Sequence, residues 1–482
     1  MTNVDLKQLN NYLWEIQKDD SIGMNVPVRI YANSKIIESM KKDRTLTQAM
    51  NAASLPGIVK NMLIMPDGHE GYGSPIGGVA AFDANNGIIS PGFVGFDIGC
   101  GVRLIKTNLT LKDIKSNLSK IMDALFKNVP SGVGSKININ INEKDLENVA
   151  RYGVEYLIEK DFAVDDDLNK IEEYGRIKDA DPDDVSDLAK KRGLHELGTL
   201  GAGNHFLELQ TVDHIFDEKV AKIFGLFEGQ VVIMLHSGSR GYGHQICSDS
   251  LKELVEYSKR EHIELKDPEL AYAKIGSKEA ERYWHAMNSA INFSFSNRQM
   301  MTYFIRKSFE EVLGKSWDSL GMELVYDLSH NIAKLEEHDV DGKKMKVYVH
   351  RKGATRAFGP GRKEIPEEYR NIGQPVLIPG SMGTASYILV GRKESMDETF
   401  GSSCHGAGRV MSRHQAIREI PSSKTLGDMK KRNIEVRVRS KKLISEEAEW
   451  AYKNVDEVVA SIAGAKISDI VAKMKPIGVT KG

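Results

Sequence analysis

Residues 65–83 read Met65-Pro66-Asp67-Gly68-His69-Glu70-Gly71-Tyr72-Gly73-Ser74-Pro75-Ile76-Gly77-Gly78-Val79-Ala80-Ala81-Phe82-Asp83, and Gly95-Phe96-Asp97-Ile98-Gly99-Cys100-Gly101 follows soon after. Short apolar runs alternate here with glycine-dense turns, which mark sharp reversals and close approach of backbone to another group. Strand-like runs recur at 206–212, 231–235, 322–328, 346–349, 376–378 and 387–390. Between them, apolar residues return at helical spacing over 111–128 and, most extensively, from Glu279 to Leu313, which predicts one or two long helices. The fold class read from this pattern is α+β, one large compact body over residues 1–482, without linkers or a 20–50-residue repeat.

Two regions differ in character. The first 60 or so residues read as helix, on the spacing of Leu6, Leu9, Leu13, Trp14 and Ile16. Residues 143–190 are strongly acidic, with Asp165-Asp166-Asp167 and Asp181-Pro182-Asp183-Asp184, and read as a solvated helical insertion without chemistry of its own.

With 482 residues, 41% hydrophobic and 28% charged, the chain can bury a large core without staples. Disordered, collagen-like and disulfide-scaffold classes are excluded. No run of 18 apolar residues suggests a membrane span, and residues 1–6 lack the shape of a secretory signal. Cys100, Cys247 and Cys404 are too few for a secreted framework, so the expected location is the cytoplasm. The net charge of −1 conceals an asymmetry: residues 343–482 hold 27 Lys+Arg against 15 Asp+Glu, a basic C-terminal part of +12. Either this part packs against the acidic remainder, or it meets a phosphate-bearing partner.

Common nucleotide motifs fail. Gly314-Lys315-Ser316 has Phe309 where a P-loop needs glycine, and Gly201-Ala202-Gly203 leads to Phe206 where the dinucleotide fingerprint needs glycine. The Lys-x-Asp-Gly signature of ordinary nucleic-acid ligases has Met65 in its lysine slot. What the chain does carry is a set of histidines at turns: His69, His205, His236, His330 and His405. Singly, such a histidine is more often a hydrogen-bonded structural residue than a ligand. Asp97 and Cys100 bring a carboxylate and a thiolate onto one tight turn; with His205, His236 and His330 they suffice for two metal ions if the thiolate bridges. Softness alone would select zinc for such a set.

Residues 65–83, 96–103, 201–208, 236–243, 350–356 (HRKGATR), 379–386 (PGSMGTAS) and 404–409 together resemble the RtcB family of RNA-splicing ligases, and the resemblance runs to the tail Pro476-Ile477-Gly478-Val479-Thr480-Lys481-Gly482. It implies joining of RNA 2′,3′-cyclic phosphate or 3′-phosphate ends to 5′-hydroxyl ends, with GTP as cosubstrate and two Mn²⁺ per chain. Asp97, Cys100 and His205 would hold one ion, and Cys100, His236 and His330 the other. His405 matches the nucleophile that accepts GMP. Asp67 either orients or deprotonates it, or merely caps its turn. Segments matching the family's guanylate contacts are Asn204, His205, Phe206, Leu207 and Glu208; His330 and Asn331; Pro379, Gly380, Ser381, Met382 and Ser386; His405, Gly406, Ala407 and Gly408; and Lys481. Lys481 would meet guanine O6, with Glu208 on the N1–H and amino edge. Phe206 and Tyr452 would sandwich the base, Tyr452 being equally readable as a core aromatic. Arg240, Arg351, Lys352, Arg409 and Arg413 are candidates for RNA phosphates or are plain surface charges. tRNA halves are the implied substrates and Archease a possible partner. One departure stands out: Gly99 occupies a position where the family commonly has Asn, and only a local change with retained activity is expected. The competing reading is a two-metal cyclic phosphodiesterase, which would need neither His405 nor Lys481.

Overall fold

The computed structural model describes residues 4–132, 134–137 and 139–482; part of the N-terminal segment read for a leader, Met1 to Asn3, lies outside them. Its centre is an eight-stranded sheet. Along it lie, in order, Leu324–Ser329, Gly101–Thr110, Gln230–Ser237, Phe206–Ile215, Ser468–Lys481, Ser386–Gly391 and Pro375–Ile378, with Glu435–Val438 parallel to the C-terminal strand. The strand Gln230–Ser237 carries a near-continuous apolar run, Val231 to Leu235, because both faces of the sheet are covered. The first four strands are mutually antiparallel, with Gly101 opposite both Ser237 and Ser329, and Phe206 opposite His236. Antiparallel order therefore gathers two strand starts and two strand ends at one end of the sheet.

A seven-stranded sheet lies beside it, ordered Lys7–Asn10, Leu13–Ile16, Val28–Tyr31, Ile58–His69, Ile76–Asp83, Lys343–Lys352 and Asn331–Val340. His330 is the single residue between the last strand of this sheet and the strand Leu324–Ser329 of the other. A two-stranded ribbon, Ala354–Arg356 against Ser402–Cys404, presents His405 at its tip.

The long helix is one piece, Lys278–Leu313, capped by the Ser277 side chain on Ala280 N–H and ended by Gly314 in the left-handed region. The expectation of helix over the first 60 residues is corrected: three strands precede the helices Ser34–Met40 and Thr45–Ala52. Leu13 and Glu15 pair with Tyr31 and Arg29, so period two governs where a short window also fits period 3.6. The acidic stretch is helical as read, but calling it solvated and free of function is also corrected. Asp167 is buried and takes both ends of the Arg306 guanidinium at 2.7 and 2.8 Å. Glu172, equally buried, accepts the Ser329 N–H at 2.9 Å, one residue before His330.

Candidate active site

The gathered strand ends place five ligand-type side chains together. Cys100 precedes the strand Gly101–Thr110, His205 precedes Phe206–Ile215, His236 is the penultimate residue of Gln230–Ser237, and His330 follows Leu324–Ser329. Asp97 closes the turn before Cys100, whose N–H returns to the Asp97 carbonyl. The atoms form a chain: Asp97 Oδ2 to His205 Nε2, 2.8 Å; His205 Nε2 to Cys100 Sγ, 3.4 Å; Cys100 Sγ to His236 Nε2, 3.2 Å; His236 Nε2 to His330 Nε2, 3.3 Å. Tetrahedral edges around an ion with metal–sulfur ≈ 2.3 Å and metal–nitrogen ≈ 2.0 Å are ~3.4 to 3.6 Å, close to these separations. The thiol sits between an aspartate–histidine pair and a histidine pair, which is where a ligand shared by two ions belongs.

The proton count favours a cation here. His205 Nδ1 lies 3.0 Å from the Leu200 carbonyl and must donate to it. Its Nε2 faces the Asp97 carboxylate at 2.8 Å, where a proton or a metal ion between the two is needed to make the contact attractive, and Asp97 Oδ1 has no partner among the described residues. Burial alone would raise the Asp97 carboxyl, yet His205 and Arg240 bring it to about 2. Burial, then the Asp97 charge, push the Cys100 thiol well above its ordinary range, and burial drives His236 and His330 well below theirs. Imidazoles, a carboxylate and a thiol that ionises beside a cation make a fitting donor set.

His405 faces this cluster, its ring 4.6 Å from that of His330. Asp67 Oδ2 lies 2.5 Å from His405 Nδ1 and also accepts the backbone N–H of His405 at 3.0 Å and of Gly406 at 3.2 Å. Asp67 thus caps the turn and orients the ring, so the two readings open at that residue are one arrangement. With the Nδ1 proton given to the carboxylate, Nε2 keeps its lone pair. Gly408 has φ +74°, and a Cβ there would lie 2.1 Å from the Asp67 carbonyl oxygen, which is why glycine stands at this turn.

Further along the same sheet end, Lys481 and Glu208 are both buried. Glu208 accepts from the Gln210 amide at 2.7 Å, and that amide also donates to Ser386 Oγ at 3.0 Å. Lys481 donates to the Gly203 carbonyl at 3.0 Å and to Glu447 at 3.1 Å. Tyr452 is half-buried and lines a cleft of about 1020 Å³ with Thr384, Trp450 and Pro476, while Arg409 lies 4.7 Å over its ring. Phe206 packs edge-on against His236 at 5.4 Å. Leu207 is wholly buried between paired strands. Asn331 ties the Asp97 carbonyl to the Gly353 N–H. Asn204 and Gly380 are half-buried on their turns; Pro379, Ser381 and Met382 are buried, as are Gly406 and Ala407.

Three of the five expected phosphate contacts are corrected. Arg351 is fully buried in a two-pronged pair with Glu336, at 2.6 and 2.9 Å. Lys352 spends its three protons on the carbonyls of Tyr72, Ser74 and Gly92. Arg409 is committed to Glu447, the Tyr452 hydroxyl and two carbonyls. Arg240 remains beside the site, its Nε without a partner among the described residues, and Arg413 is exposed at the Gly203 turn.

The sequence reading missed what braces the loops. Arg298, fully buried in the long helix, donates to the Gly99 and Ser237 carbonyls at 2.9 Å each and pairs with Asp327, so one guanidinium holds the segments bearing Cys100, His236 and His330. Its signal was a set of polar residues, Asn288, Asn292, Asn297 and Arg298, set among the apolar positions in the middle of the helix. Glu447, outside every motif, was also missed.

Comparison with known proteins agrees with this architecture. A family model described as tRNA-splicing ligase RtcB matches residues 48–482. The chain is 53% identical over 479 residues to the tRNA-splicing ligase RtcB of Thermococcus kodakarensis, covering 99% of each chain. It is 51% identical to the protein of that name from Nanoarchaeum equitans over the full length of both. Similarity to the RNA-splicing ligase RtcB homolog 2 of Entamoeba dispar is 47% over 98% of this chain and 93% of that one. The chain therefore belongs to the RtcB family of RNA ligases.

Proposed function

We propose that this RNA ligase joins 3′-phosphate or 2′,3′-cyclic phosphate ends to 5′-hydroxyl ends, using GTP and a His405–GMP intermediate, with tRNA halves as substrates. The observation that carries the reading is the Asp67–His405 pair, which fixes Nδ1 as the nitrogen that donates to the carboxylate and so makes Nε2 the one available for attack, on a ring beside His330. In the first step Nε2 attacks the α-phosphorus, a nitrogen–phosphorus bond forms, and the bond to pyrophosphate breaks. Asp67 holds the Nδ1 proton and stabilises the ring as it gains positive charge, the role an orienting carboxylate plays toward any histidine that changes charge. An RNA 3′-phosphate oxygen then displaces the histidine, giving an anhydride with GMP. Attack by the 5′-hydroxyl on the RNA phosphorus expels GMP and leaves a phosphodiester. A cyclic phosphate is first opened by hydrolysis.

Two Mn²⁺ ions, one on Asp97, Cys100 and His205 and one on Cys100, His236 and His330, would supply charge neutralisation at the phosphoryl oxygens. Lys481 and Glu208 read guanine through O6 and the N1–H and amino edge. Arg240 and Arg413, each held by a single carboxylate, Glu196 and Glu446, would meet RNA phosphates. Archease is a candidate stimulating partner.

The test uses GTP labelled at the α-phosphate. Protein with Mn²⁺ should become labelled in a bond that acid cleaves and base spares, and His405→Ala should remain unlabelled. Adding RNA with a labelled 3′-phosphate and a 5′-hydroxyl partner should carry that phosphate into the junction. Opening of a labelled 2′,3′-cyclic phosphate to a monophosphate that stays on the RNA, without joining or adduct, would establish the phosphodiesterase instead.

A further inference from the structure

Glu447 ends the helix Lys441–Glu446 and is 3% exposed. Three donors converge on its carboxylate: Lys481 Nζ at 3.1 Å, Arg409 Nη1 at 3.1 Å and the Tyr452 hydroxyl at 2.6 Å. Arg409 Nη1 also donates to the Tyr452 hydroxyl at 2.8 Å, so the four groups form a closed network. Lys481 sits 2% exposed, and an ammonium has three protons. One goes to the Gly203 carbonyl and one to Glu447. The third is left for whatever enters the pocket. A lysine stem is otherwise free to rotate, so its two fixed bonds determine where that third proton points.

We propose that Glu447 is a specificity-determining positioning residue: by anchoring Lys481 and Tyr452 together, it aims one N–H at the O6 carbonyl of the base and holds the ring that lies against it. This rests on the reading of Lys481 as the contact to guanine O6. With Glu447 as partner, Lys481 is not left as a bare cation when O6 is missing. Adenine instead brings an amino donor against an N–H that has only one direction to point, and two donors in contact cost a hydrogen bond.

The experiment compares adduct formation at His405 from three nucleotides: GTP, inosine triphosphate, which keeps O6 and lacks the 2-amino group, and 2-aminopurine riboside triphosphate, which keeps the amino group and lacks O6. Wild type should prefer GTP and inosine triphosphate over the 2-aminopurine analogue. Glu447→Gln keeps the shape and removes the charge. It should weaken GTP and inosine triphosphate by about tenfold or more in kcat/KM beyond any loss shared with the 2-aminopurine analogue, since the shared part comes from Tyr452 and the bond to O6 is lost only where O6 is present. A uniform loss on all three nucleotides, or an unchanged preference, overturns the proposal. A wild-type protein that labels equally well with all three overturns the reading of Lys481 instead. If Glu447→Gln does not fold, Glu447→Asp carries the same ratio, because shortening the reach also misdirects Lys481.

Discussion

Burial keeps the Glu208 carboxyl protonated up to about pH 7, where an ordinary glutamate loses its proton near 4.5. The nearby Lys481 charge and the Gln210 amide act in the other direction without prevailing. Below pH 4.5 the group is protonated whether the chain is folded or not, and it contributes nothing to pH dependence. Between 4.5 and 7 the unfolded chain releases this proton and the folded protein retains it, so stability falls as pH rises and levels off above 7. The loss is about 3 kcal/mol for a shift of this size. Glu208→Gln should therefore remove this slope and make the nucleotide-free protein more stable than wild type at pH 8, with little difference at pH 4.5. Denaturant unfolding at both values decides it; equal wild-type and variant differences between the two pH values would show that another group is responsible. The residue proposed to bind guanine donors would thus weaken the empty pocket, the usual relation between a prepared site and its stability.

The long helix Lys278–Leu313 explains the departure at Gly99. Gly99 has φ +70°, a conformation asparagine also tolerates, so backbone strain is not what selects glycine here. Space is. A Cβ at Gly99 would lie 2.9 Å from Ser294 Cβ and 3.1 Å from Ile291 Cα, both on this helix. Ser294 Oγ donates to the Gly99 carbonyl at 2.6 Å, which draws helix and loop together. Gly99→Asn should push the loop off the helix, lower thermal stability by several degrees, and lose metal at Cys100 as measured by elemental analysis; full retention of metal and stability would show that the helix yields. Combining it with Ser294→Gly should restore part of both. The helix itself was legible because its apolar residues repeat over nine turns. The contact was not, since nothing in a period says which glycine the helix will meet. The strand Lys7–Asn10 and its neighbours were misread for a related reason: over ten residues, two periodicities fit equally well, and pairing partners far along the chain decide between them. At the site, the ligand turns and His405 were readable from residue type and glycine context. Arg351, Lys352 and Arg409 were not, because a cation's partner is a matter of tertiary structure.

Across the whole molecule, the site is assembled from distant parts of the chain. Cys100 meets His205 across 105 positions and His236 across 136, and His236 meets His330 across 94. Contacts of that separation are reached only after the entropy of closing long loops has been overcome, and proteins dominated by them fold slowly. The donors come into range when four strands are in register, which is late. An ion that binds only this arrangement lowers the free energy of the native state and leaves the folding barrier, seen from the unfolded side, where it was. Refolding rates should therefore be the same with Mn²⁺ or with chelator, while unfolding in denaturant should slow by about a hundredfold for each ion bound when free Mn²⁺ is a hundred times that site's dissociation constant. Stopped-flow fluorescence reads both limbs, and a refolding rate that climbs with Mn²⁺ would place the site in the transition state. His330 adds to this, because it alone separates the strand Leu324–Ser329 of one large sheet from the strand Asn331–Val340 of the other. An ion on His330 would close a latch across that joint, so that metal supply would govern how long the folded enzyme persists more than how quickly it forms.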